Sequence, residues 1–110
     1  MTRTLSRTIP HLGITIKEAK LNKLGHWDPK RKEIVLSTKQ KSWVGKNITL
    51  LHEIIHATDD AMIGAGIRKK RISHNWIENA SMNLLLFFVL AGLWRGISKK
   101  QIVRFYKGRR

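Results

Sequence analysis

The segment His52-Glu53-Ile54-Ile55-His56 lies inside an apolar run, with Ile48-Thr49-Leu50-Leu51 before it and Ala57 after it. On a helix, residues four apart stand one above the other on the same face. Two imidazoles at this spacing can then reach one Zn²⁺, and the glutamate between them can serve as a general base. The flanks support the helix: Ile48, Leu51, Ile55, Thr58 and Met62 form one apolar stripe at helical spacing, with the histidines beside it. Asn47 is the expected N-cap of a helix from about Ile48 to Met62, which Gly64 and Gly66 end.

The segments before this helix have a different period. Residues 1–10 read as a loose basic arm ending at Pro10. Leu12, Ile14 and Ile16 alternate with Gly13, Thr15 and Lys17, a strand pattern. Leu21 to Trp27 reads as a weaker strand, Asp28-Pro29 as a turn, and Glu33-Ile34-Val35-Leu36-Ser37 as a β-branched, apolar strand. Lys39 to Lys46 is polar and reads as a loop. After the basic stretch 68–71, Ser73 is a good N-cap for a second helix over His74–Leu93. Gly96 breaks it, and Ser98 caps a last helix with Ile102, Val103 and Tyr106 on its inner face. The expected fold is α+β: a small antiparallel sheet of about three strands packed on the H-E-x-x-H helix and two further helices, all in one domain over 1–110.

The chain has no cysteine, so thiolate ligands and disulfides are excluded, and any metal must be held by His, Asp or Glu. Such a donor set suits a catalytic site, which has three protein ligands and an open position. His52 and His56 supply two. Asp59 lies seven residues beyond His52, roughly 10 Å along a helix axis, too far for one ion to touch both. Asp59 and Asp60 are therefore expected either to accept a ligand N–H or to bind the basic loop from the helix end. Glu78, early in the next helix with Ala80 and Ser81 following, is the expected third ligand, because small residues let the two helices approach closely. His74, at the start of the same helix, is its competitor and would give a three-histidine site.

From Gly25 to Trp94 the chain resembles the minimal zincin metallopeptidases, closest to the phage and bacterial ImmA/IrrE-type domains. The matching segments are Gly25-His26-Trp27-Asp28, Ile34-Val35-Leu36-Ser37 and Thr49-Leu50-Leu51-His52-Glu53-Ile54-Ile55-His56-Ala57. The resemblance implies a glutamate ligand in a following helix with a small residue three positions on, a pattern that Glu78 and Ser81 match. SprT-like proteases, which act on proteins attached to DNA, are also similar. Their third ligand is a histidine, and His74-Asn75-Trp76-Ile77 fits their motif in part, lacking its glycine. Either resemblance implies a zinc metallopeptidase cutting a protein or peptide substrate, with Glu53 as general base on a zinc-bound water. His26, His74 and Tyr106 are candidates to stabilise the oxyanion, although packing is the commoner use of a lone Tyr106. In zincins an extended substrate pairs with the edge strand beside the active helix, and Glu33–Ser37 is the strand expected in that role.

Twenty-two basic against seven acidic residues give a net charge of +15, which attracts nucleic acid or another polyanion whatever the fold. The basic residues cluster at 30–32, 68–71 and 95–110, whereas four of the seven acids lie between positions 53 and 78. The alternative function is therefore a basic nucleic-acid-binding protein with a metal-stabilised H-E-x-x-H helix. Lys99, Lys100, Arg104 and Lys107 of the last helix would then meet phosphates. The apolar run Leu84–Trp94 falls short of the ~20 residues needed to cross a bilayer, so no stable membrane insertion is expected. It is suited to a core helix or a dimer contact. With no apolar leader in the first twenty residues, the expected location is the cytoplasm, that of the host if the chain is phage-encoded.

Overall fold

The computed structural model of the protein describes residues 7–9 and 13–108. Four strands, β1 (Arg7–Ile9), β2 (Ile14–Ala19), β3 (Gly25–Asp28) and β4 (Glu33–Ser37), are followed by three helices, α1 (Trp43–Gly64), α2 (His74–Leu90) and α3 (Lys99–Gly108). The architecture is α+β, as expected. Leu12, read as the start of the first strand, lies outside the described residues, and Arg7–Ile9 of the supposed loose arm pairs with β2.

The sheet is mixed, not antiparallel throughout. Its order is β1-β2-β4-β3. β1 runs antiparallel to β2 and β3 antiparallel to β4, but β2 and β4 are parallel, with Ile16 opposite Ile34. The reason lies in the strand compositions. Glu33–Ser37 is apolar on both faces and buried almost throughout, which suits a central strand. Gly25-His26-Trp27-Asp28 is polar and takes the edge. The chain therefore leaves β2, passes to the edge as β3, and turns back to insert β4 between the two. Asp28 stabilises that turn by accepting the N–H groups of Lys30 and Arg31.

α1 lies between two apolar clusters. On one side Ile14, Ile16, Ile34 and Leu36 pack against Leu50 and Ala57; on the other, Val44 and Leu51 meet Leu85, Val89, Ile97 and Ile102. Its N-cap is Ser42, whose hydroxyl accepts the N–H of Gly45, so the helix begins well before the expected Asn47. Asn47 is instead buried within it, donating to the carbonyl of Trp43 and accepting the indole N–H of Trp94. The lysines that made 39–46 look like a loop do not oppose helix formation; Lys46 pairs with Glu18 of β2 at 2.5 Å. α2 has the expected Ser73 cap but ends at Leu90, where Gly92 takes a positive φ of 75°. In α3, Ile102 is buried and Tyr106 half-buried, whereas Val103 faces outward and Phe105 takes its place. Among the described residues no helix is long and apolar enough to cross a membrane.

Candidate metal centre

His52 and His56 stand one turn apart on α1, and their Nε2 atoms are 3.1 Å apart. His74, the first residue of α2, completes a group. Ser73 sets its place by capping α2, its hydroxyl accepting the N–H of Trp76. The ring centroid of His74 lies 4.9 Å from that of His52 and 5.6 Å from that of His56. One ring nitrogen from each of the three lies within 4.8 Å of the other two, so this group can hold a metal ion. The spacing passes a simple test. Two nitrogens at ~2.0–2.1 Å from a tetrahedral ion stand ~3.3 Å apart, close to the separation of the His52 and His56 nitrogens.

Glu78 is one turn into α2. Its Oε1 is 3.3 Å from Nδ1 of His52 and 3.9 Å from Nε2 of His74. The carboxylate thus faces the ring nitrogen of His52 opposite the one directed at His56. Ser81 is fully buried, its hydroxyl turned back to the carbonyl of Ile77. Asp59 and Asp60 bind the basic loop: Asp59 takes Arg68 and the N–H of Ile72, and Asp60 takes Arg71 and the indole of Trp27.

Glu53 is buried beside His52. Its carboxyl is pushed up to about 7, first by burial, against the pull of Lys23 and with a push from Glu78. His52 is held below the ordinary imidazole range by burial and then by His56, with Glu78 acting in the opposite sense and His74 adding a small push. His56 is lowered by burial and by His74, against Asp60 and Asp59. Neutral imidazoles are the form that binds a metal.

The group opens into two cavities. One, of about 420 Å³, reaches Ile48, Thr49, Met82 and Phe105; the other, of about 430 Å³, is lined by His26, Trp27, His56 and Arg71. His52, Glu53 and His74 border both. His26 therefore shares the cleft with the histidines. Tyr106 instead donates its hydroxyl to the carbonyl of Met82, the packing role.

The strand beside the site is β3, not Glu33–Ser37, which is central and has strands on both sides. β3 comes so near α1 that a Cβ on Gly25 would stand 2.6 Å from Cγ2 of Thr49 and 3.4 Å from Glu53. The composition signal was available: of the two segments, Gly25–Asp28 is the less apolar.

No protein-family model, curated protein or solved structure matches the chain. The family resemblance therefore rests on the quoted motifs. What the structure adds is a mixed sheet on three helices and a group of three histidines that could hold a metal ion.

Proposed function

We propose that the chain is a zinc-dependent metallopeptidase. The observation that carries this reading is the placement of Glu53: a buried carboxyl, raised to about 7, next to a three-histidine group and open to both cavities of the cleft. Zinc, when bound, would polarise a peptide carbonyl and make water more acidic. Glu53 would take the proton of the attacking water and return it to the leaving amine. His26, which lines the same cleft, would donate to the carbonyl oxygen. The outer edge of β3 carries no further strand among the described residues, and an extended peptide would pair there through its backbone.

The donors we assign are His52, His56 and His74. Glu78 would hold Nδ1 of His52, fixing which nitrogen faces the ion. A second reading makes Glu78 the third ligand. Its contact with both His52 and His74, and the buried small Ser81 at the position the zincin pattern requires, favour it. Zinc retention by His74→Ala and Glu78→Gln decides between them. Loss of the ligand abolishes binding, whereas loss of a carboxylate behind a ligand weakens it by about 10–100-fold.

The exposed Lys99, Lys100, Arg104 and Lys107 of α3, around the buried Ile102, further support recruitment of the peptidase to a polyanion such as nucleic acid. Its substrate would then be a protein on or near that polymer.

A further inference from the structure

Two of the candidate metal donors lie on α1, and the rest lie at the beginning of α2. The centre exists only if the start of α2 is held in register with α1. The connecting residues 65–73 contain one glycine, Gly66, and four consecutive basic residues, and nothing in their composition fixes such a register.

Asp59 does so by contact. It stands three residues after His56 on α1 and is 3% exposed. One carboxylate oxygen takes the guanidinium of Arg68, and the other accepts the backbone N–H of Ile72 at 3.1 Å. Ile72 precedes Ser73, whose hydroxyl and carbonyl accept the N–H groups of Trp76 and Ile77 in the first turn of α2. Hydrogen bonds joined by the Ile72–Ser73 main chain thus run from the turn of α1 after His56 to the turn of α2 that begins at His74. Asp60 reinforces it, joining Arg71 of the same loop to the Trp27 indole of β3 at 2.7 Å. Arg68 is drawn in far enough that its Nε is buried without a partner. Such an arrangement is a poor source of net stability but a good source of a unique conformation.

We propose that Asp59 is a positioning residue for the metal centre: by holding Arg68 and the Ile72 amide, it fixes where α2 begins and so where His74 and Glu78 stand against His52 and His56. This rests on the metal centre proposed above.

The test uses the full chain, with Zn²⁺ and Co²⁺ as probes. Asp59→Ala removes both contacts, Asp59→Asn keeps an acceptor for Ile72, and Arg68→Met keeps the carboxylate on Ile72. Zinc affinity by chelator competition is expected to fall about 10–100-fold in Asp59→Ala and less in the other two. The Co²⁺ absorption spectrum should change in Asp59→Ala. In the metal-free protein the Ile72 amide should exchange faster while the Leu36 amide of β4 does not. A purely structural role would lower the melting temperature but leave metal affinity and the Co²⁺ spectrum unmoved, and that result overturns the proposal. Should Asp59→Ala fail to fold, unchanged affinity and spectra in both Asp59→Asn and Arg68→Met overturn it equally. Wild-type protein that binds no zinc removes the metal centre and this proposal together; wild-type binding matched by the variants removes only this proposal.

Discussion

Gly25 of β3 and Thr49 of α1 are in direct contact, with no room for a β-carbon between them. This is what brings the edge strand onto the helix that carries His52 and Glu53. Gly25→Ala is expected to force β3 and α1 apart and to cost about 1–3 kcal/mol, as overpacking does. Urea unfolding of the metal-free protein measures it. Stability equal to wild type would mean that the strand does not depend on this approach.

Asn47 joins two indoles' surroundings inside the core, donating to the Trp43 carbonyl and accepting from Trp94. Asn47→Ala leaves the half-buried Trp94 N–H without its acceptor, at an expected cost of about 1–3 kcal/mol. Were Asn47 an N-cap at the surface, an Asn47→Ser replacement would be neutral. Here Ser is expected to destabilise as well, because its hydroxyl is too short to serve both partners. Chemical denaturation of both variants checks this.

The pH dependence of metal-free stability carries two opposing contributions. His52 and His56 have folded pKa values depressed from 6.5, so their contribution is present above that value and is lost as pH falls through the folded values. Glu53 is raised from 4.5 to about 7, so its contribution is present below 4.5 and is lost as pH rises towards 7. Glu53→Gln removes only the second. Its stability between these two limits should therefore rise more steeply with pH than that of wild type. Equal slopes in chelator-treated samples would contradict the burial of an ionisable Glu53.

The same substitution separates binding from chemistry. Glu53→Gln is expected to retain zinc and to lose peptide hydrolysis by about 10²–10⁴-fold, the range for a general base. A bound cation lowers the Glu53 pKa, so the acid limb of wild-type activity should lie at or below pH 7. Cleavage by Glu53→Gln at the wild-type rate would remove this residue from the reaction.

What the sequence made legible was local. Residues His52 to His56 required a helix, Ser73 and Ser98 marked helix starts, and the alternation at Ile14 and Ile16 marked a strand, because caps and periodicity act over a few residues. α1 starts earlier than its local chemistry indicates, since Asn47 has the chemistry of a cap and only tertiary partners, Trp43 and Trp94, show it to be an interior residue. The parallel pairing of β2 with β4 and the central place of Glu33–Ser37 leave no local trace in the sequence; they are decided by which strand buries both faces. Between His74 and Glu78 the sequence favours Glu78, on the small residues that follow it and on the zincin pattern, although both stand on one face of α2 at helical spacing. Of the two roles open to Asp59 and Asp60, binding of the basic loop is the one realised, through Arg68 and Arg71.

In the proposed centre, His52, His56 and a donor from α2 would hold an ion beside Glu53. Its most direct test is the zinc content of the protein purified without chelator. About one equivalent per chain is expected, removed by chelator and restored on adding Zn²⁺. A content below roughly a tenth of an equivalent that added zinc does not raise would contradict it, since a site with three protein ligands should hold its metal.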